Sequence, residues 1–324
     1  MKLIVEPTPH IRSSNTTDKI MGRVLIALVP ALVMSVYIFG MRALYLSIVC
    51  MGSCIIFESL FRRFIRKDKE IDPSPAVTGL LLAFCLPVTL PYYMAIIGCF
   101  IAIVVVKQLF GGLGQNFANP AIVARIVLML SFTSEMTYWV KPNVGSAADA
   151  VSSATPNAVD GLTAATPLML EAGEQVPGMW ELFMGYHGGS LGETSEFALL
   201  LGFAFLVLTR VIRVVTPIAF ISTVAVGALI TGADVGLHLL SGGLVLGAVF
   251  MATDYSTTPV SLTGKFIFGV GCGIITLIIR FFSDMPEGIS YAILIMNILT
   301  FYIDKFTFPK PFGAVREGRN DDEK

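Results

Sequence analysis

Residues 73–106 read PSPAVTGLLLAFCLPVTLPYYMAIIGCFIAIVVV, 34 positions without one charged side chain. About 20 apolar residues, each rising 1.5 Å, cross the roughly 30 Å of bilayer hydrocarbon, so this stretch is too long for a single crossing. Pro87 and Pro91 divide it, because proline lacks a backbone N–H and clashes with the preceding helical turn. The reading is a short span over 76–86 followed by a second over 92–106. A short apolar segment that ends at a proline break predicts a helix interrupted inside the membrane.

The same test applied outward predicts spans over 20–40 and 43–60 before this stretch. After it come 120–132, 197–209, 217–231, 235–252, 266–279 and 289–303, ten spans in all. Composition agrees: of 324 residues 55% are hydrophobic, 14% are charged and the mean hydropathy is +0.77, whereas soluble domains are about one quarter charged. That excludes a soluble globule, a disordered chain and a nucleic-acid binder. The first 19 residues are polar and no small-residue cleavage site follows the first apolar run, so that run reads as a retained span rather than a signal peptide. All five cysteines lie in apolar runs, where a thiol packs as a small hydrophobe. Cys50 and Cys54 share a helix face, but with no His or third thiol in view a metal site is not expected.

Lys and Arg collect on the cytoplasmic side of membrane proteins. With the N-terminus inside and ten crossings, eighteen bases fall inside and three, Arg42, Lys141 and Arg280, outside, with Arg125 left within a span. The expected organisation is a cytoplasmic segment over 1–19, five spans over 20–132, an extracytoplasmic loop over 133–194, five spans over 195–306 and a cytoplasmic tail over 307–324. That loop carries seven acids against one base, Lys141. Both halves repeat a rough order of short apolar segment, proline break, Gly-bearing span, Gly turn and Ala-Ile helix. Two five-span repeats must be inverted in the membrane, and interrupted segments at matching positions point to a binding site near the midplane.

Few residues suggest soluble-enzyme chemistry. His10, His187 and His238 lie in different loops or spans, which leaves no metal cluster and no catalytic triad. Gly111-Gly112-Leu113-Gly114 is followed by Gln115-Asn116 rather than Lys-Ser/Thr, so it reads as a re-entrant turn and not a phosphate-binding loop. Arg125 is an ionisable group at membrane depth and needs a polar interior; by topology its nearest acids are Glu58 and Asp254. Glu58 is expected to snorkel to the interface, and Arg125 and Asp254 to be buried. Asn116, Asn119, Thr253 and Asp254 are the polar candidates for the midplane site, either lining an ion path or capping broken helices.

The loop also contains Asp160-Gly161-Leu162-Thr163-Ala164-Ala165-Thr166-Pro167-Leu168. Read bare, it is a polar turn that leaves the Thr166 hydroxyl accessible. It resembles the flavinylation motif of the membrane flavoprotein subunits of the Rnf complex and of the sodium-pumping NADH:quinone reductase, in which an Asp precedes Ser/Thr, Gly/Ala, Ala and an acceptor Thr. The resemblance implies FMN joined through its phosphate to Thr166, with Thr163 in the Ser/Thr place and Asp160 opening the motif. Ala164 stands where Gly is commoner. Pro9-His10-Ile11-Arg12, Thr78-Gly79-Leu80-Leu81-Leu82-Ala83, Gly114-Gln115-Asn116-Phe117-Ala118-Asn119-Pro120-Ala121, Gly189-Ser190-Leu191-Gly192-Glu193-Thr194-Ser195, Met251-Ala252-Thr253-Asp254 and Pro286-Glu287-Gly288 are similar to further family signatures, in family order.

Only 19 residues precede the first span, which fits the Rnf branch better than the longer quinone-reductase subunit. The resemblance implies an all-α, urea-transporter-like fold of about ten transmembrane helices in two inverted five-helix repeats, in a bacterial inner membrane. It further implies an ion-translocating ferredoxin:NAD oxidoreductase coupled to Na+ or H+, with partner subunits A, B, C, E and G and a flavin transferase for maturation. A second, non-covalent riboflavin at the midplane residues, Arg125 included, is also implied. The competing readings are a quinone-reductase component and a urea-transporter-like channel without a redox role.

Overall fold

A computed structural model describes residues 16–67, 72–140, 168, 178–283 and 288–308. The elements are helical: α1 (Thr17–Phe39), α2 (Met41–Phe61) with a π-helical extension (Arg62–Arg66), α3 (Ser74–Phe84), α4 (Tyr92–Phe100) continuing as π-helix (Ile101–Gln108), α5 (Pro120–Ser131) and α6 (Thr133–Met136). There follow α7 (Met179–Met184), α8 (Glu196–Leu208), α9 (Val215–Thr231), α10 (Val235–Leu240), α11 (Leu244–Leu246) with a π-helical continuation (Gly247–Met251), α12 (Leu262–Phe282) and α13 (Ile289–Thr307).

Four helices, Thr17–Phe39, Met41–Arg66, Leu262–Phe282 and Ile289–Thr307, are long and apolar enough to cross a membrane. Five further apolar helices are shorter. Phe282, Leu208 and Ile230 are 87%, 83% and 80% exposed. So wide an apolar surface is untenable in water and marks a lipid-facing belt. The protein is a polytopic, helical membrane protein.

Helices α3 and α4 both pack on α2, and α12 packs between α9 and α13. Helix α1 meets α8, and α5 meets α13. Glycines permit the close crossings, as expected where lipid supplies no hydrophobic drive between helices. A Cβ at Gly79 would lie 2.7 Å from the Cys50 carbonyl oxygen, and one at Gly269 would lie 2.7 Å from that of Thr216.

Two expectations change here. The span over 235–252 is not continuous: Gly242 and Gly243 adopt left-handed φ of +70° and +68° and separate α10 from α11. Arg280 compensates the break by donating to the carbonyl oxygens of His238 (2.7 Å) and Ser241 (3.1 Å). Cys50 and Cys54 do have a third thiol beside them, because α4 brings Cys99 against both. Among the described residues no group of three or more His, Cys, Asp or Glu that could hold a metal is found.

Candidate functional site

Thr166, Thr163 and Asp160 lie outside the described residues. Leu168, two positions beyond Thr166, is described: its Cδ1 lies 2.7 Å from where a Cβ on Gly242 would stand, and Arg280 borders the same glycine. Leu168 therefore sits at the α10–α11 break.

The polar residues expected at the midplane converge elsewhere. Asn119 caps α5, its Oδ1 accepting from the Ala121 N–H at 3.0 Å, while its Nδ2 donates to the Met251 carbonyl at 3.4 Å. Thr253 Oγ1 donates to the Val249 carbonyl. The Asp254 carboxylate accepts from Ser256 and Thr257 hydroxyls. Asn119 and Thr253 thus satisfy carbonyl groups at the end of an interrupted helix, as backbone in a membrane requires. Asn297 of α13 joins them. With its amide turned to satisfy both ends, it donates to the Thr257 carbonyl and accepts from the Asn119 N–H, each at 3.1 Å.

Asn116, Asn119, Thr253 and Asp254 line one cavity of about 80 Å³, shared with Ser74, Thr78 and Lys107. That volume suits an ion with a few waters and not a flavin ring system, since organic ligands occupy several hundred Å³. A larger vestibule of about 730 Å³ shares Val211, Ile212, Thr253 and Tyr255 with it and bears Arg210, Arg213 and Lys265.

Arg125 is not at this cavity. It is 5% exposed, and its Nη1 lies 2.5 Å from Glu193 Oε1. Neither Glu58 nor Asp254 is its partner. Glu193 belongs to a stretch expected to be an outer loop. Its neighbours Leu191 and Gly192 instead donate their N–H groups to the carbonyls of Leu86 and Phe84 at 3.0 and 2.9 Å, just past the end of α3, where helical carbonyls lack partners. Ser35 of α1 donates to the Leu191 carbonyl at 2.5 Å. This network draws the loop into the bundle.

Glu58 does not snorkel; it is 3% exposed. Its carboxylate pairs with Lys107 Nζ at 2.6 Å and Arg62 Nη2 at 2.8 Å. Lys107 also donates to Ser74 Oγ at 2.6 Å, and Arg62 reaches Asp72 at 2.8 Å. Burial pushes the Asp72 carboxyl up, but the Ser74 hydroxyl, Lys107 and Arg62 outweigh it and hold the group below its ordinary 3.8.

Sequence reasoning missed Glu193, Lys107 and Asn297 as buried groups. The signal for Asn297 was present, an amide within an apolar run, because a polar group there must be satisfied by a neighbouring helix. Lys107 sits at the end of an apolar run and Glu193 in a polar stretch read as a loop, where exposure is the ordinary expectation.

The NQR2, RnfD, RnfE family model matches residues 4–313. The chain is 42% identical to the D subunit of the Na(+)-translocating ferredoxin:NAD(+) oxidoreductase complex of Acetobacterium woodii, over 98% of this chain and 97% of that protein. It is 40% identical to the D subunit of the proton-translocating ferredoxin:NAD(+) oxidoreductase complex of Clostridium ljungdahlii, over 96% of each. It is 31% identical to the D subunit of the ion-translocating oxidoreductase complex of Escherichia coli, over 95% of this chain and 98% of that one. A match over so much of the length, joined to a broken-helix membrane architecture, places this chain in the NQR2, RnfD, RnfE family.

Proposed function

We propose that the chain is the D-type membrane component of an ion-translocating ferredoxin:NAD+ oxidoreductase, which carries electrons through FMN esterified to Thr166 while the complex moves Na+ or H+. The observation that carries this reading is the 42% identity over 98% of the chain to the D-type component of such a complex. Two relatives, at 42% and 40% identity, are named for different ions, so family membership does not choose between Na+ and H+.

The proposed architecture is ten spans in two inverted five-helix repeats. The pairing of α1 with α8 and of α5 with α13 supports it, since these are the first and last spans of each half. The termini are assigned to the cytoplasm of a bacterial inner membrane and the Thr166 loop to the opposite side, on the distribution of Lys and Arg.

When bound, FMN supplies one- and two-electron redox chemistry, and the protein supplies position and electrostatics. Leu168, two positions beyond Thr166 in the chain, lies against Gly242, and the Arg280 guanidinium borders the same glycine. A second, non-covalent riboflavin does not fit the 80 Å³ cavity at Asn116, Asn119, Thr253 and Asp254. The 730 Å³ vestibule has the volume for one. Partner subunits A, B, C, E and G would hold the iron–sulfur clusters and nucleotide site, and a separate flavin transferase would install the FMN.

The test is in-gel flavin fluorescence of the denatured chain, co-expressed with a flavin transferase. Fluorescence that requires both the transferase and Thr166 is expected, with Thr166→Ala dark. A wild-type band dark under the same conditions would remove the redox role and leave the channel-like reading.

A further inference from the structure

The stretch between α7 and α8 contains Gly185-Tyr186-His187-Gly188-Gly189-Ser190-Leu191-Gly192-Glu193-Thr194-Ser195, and it is buried without being helical. Helix α3, whose end it caps, has 11 residues and so rises about 16 Å, roughly half the hydrocarbon thickness. The stretch therefore holds its polar side chains at membrane depth. Gly192 is the point of closest approach; a Cβ there would fall 2.3 Å from the Phe84 side chain.

Helix α8 opens with Glu196, which is 0% exposed and whose two carboxyl oxygens have no hydrogen-bond partner among the described residues. His187 Nε2, Ser190 Oγ and Thr194 Oγ1, all on the same stretch and at least nine-tenths buried, lack partners there too. Most buried polar atoms in folded proteins are bonded, so four side chains within ten residues that share this condition imply something that satisfies them.

The charges around Glu196 define what that is. Glu193 repels its carboxylate and Arg280 of α12 attracts it. Two nitrogens of Arg280 are engaged by the His238 and Ser241 carbonyls, and Arg125 of α5 is engaged by Glu193. The Glu193 field also reaches His187. His238 of α10 and Tyr291 of α13 lie in the fields of Arg280 and Arg125. Glu193 has an ion-pair partner, whereas Glu196 has none among the described residues, and an unpaired carboxylate out of water is too costly to persist ionised.

We propose that Glu196 is an exchangeable-cation site, its carboxyl holding a proton or a sodium ion beside the fixed Arg125–Glu193 pair. The site rests on the translocating role proposed above and gives this chain a direct part in it. A bound cation neutralises the carboxylate, and its departure is favoured whenever positive charge nearby rises.

The test uses the intact complex in membranes and needs no variant for its first arm. Dicyclohexylcarbodiimide attacks protonated carboxyls in apolar surroundings, and mass spectrometry reads the modification of Glu196 directly. Labelling that Na+ slows at constant pH, about tenfold at ten times its Kd, assigns a sodium ion. Labelling slowed only by raising the pH assigns a proton. Absence of labelling at Glu196 from acid to alkaline pH, with and without Na+, overturns the site. In the second arm, Glu196→Gln should lower ions moved per electron at least about tenfold while uncoupled ferredoxin-driven NAD+ reduction persists. An unchanged ratio overturns the proposal. If the wild-type complex moves no ion at all, the translocating role itself fails, while the labelling arm still decides whether Glu196 holds a cation.

Discussion

The Arg125–Glu193 pair shows what one buried charge demands of its surroundings. Both side chains are at most 6% exposed, so truncation of one strands the other in a low-dielectric interior, at a cost of about 3–5 kcal/mol. Arg125→Met is therefore expected to lower the thermal midpoint of the purified protein markedly. Adding Glu193→Gln should restore part of it, with a coupling of about 0.5–3 kcal/mol; strictly additive losses would mean the pair is not a unit. At the other polar cluster the sign of the pH effect follows from Asp72. Its carboxyl is held below its ordinary 3.8 by Ser74, Lys107 and Arg62 against the opposing effect of burial. The folded state thus favours the ionised form, and the resulting stability is full above pH 3.8 and lost as the pH falls through the lower folded value. Asp72→Asn should destabilise near neutrality and converge with wild type only once the pH has fallen below the depressed folded value. A stability difference that persists into strong acid would assign the loss to packing instead.

At the scale of elements, helix crossings rather than hydrophobicity decide which glycines matter. A Cβ on Gly202 of α8 would fall 2.2 Å from the backbone oxygen of Ala27 in α1, while one on Gly52 of α2 meets nothing within 4 Å. Gly202→Ala is expected to force α1 and α8 apart at about 1–3 kcal/mol. Gly52→Ala should be neutral or slightly stabilising, because Ala is the better helix former. Thermal unfolding in detergent compares them, and equal effects would show that the α1–α8 contact is not close. What could be read from sequence at this scale follows the same division. Apolar runs near 20–40, 43–60 and 289–303 were legible because length and composition alone specify a membrane helix. The break at Gly242–Gly243 was not, because a Gly pair in an apolar run is read as continuous until Arg280 is seen to serve the freed carbonyls. The burial of residues 185–195 was equally invisible, since only the orphan carbonyls beyond α3 draw in a stretch that composition reads as a surface turn. Asn119 and Thr253 were legible as candidates, but their joint cavity with Asn116 and Asp254 depends on helices distant in the chain.

For the whole molecule, the open quantity is how the bundle sits in the membrane, and the five cysteines make it measurable. Cys50, Cys54, Cys85, Cys99 and Cys272 are all buried, so a membrane-impermeant maleimide should react negligibly with the native chain. A single cysteine placed at an exposed site then reports its own side alone. Asp18 begins α1 and Lys305 ends α13, both exposed, while Trp180, 70% exposed, lies in α7 before the second half of the chain. With ten crossings and positively charged loops facing the cytoplasm, Asp18→Cys and Lys305→Cys should be protected in intact cells and labelled only in inverted vesicles. Trp180→Cys should behave oppositely. Each alternative has its own signature: an odd number of crossings puts positions 18 and 305 on opposite sides, and a reversed bundle exchanges all three. The result also bears on the two polar clusters, because it places the Arg125–Glu193 pair with Glu196 on the same side as Trp180 and the Glu58–Lys107 pair on the side of Asp18.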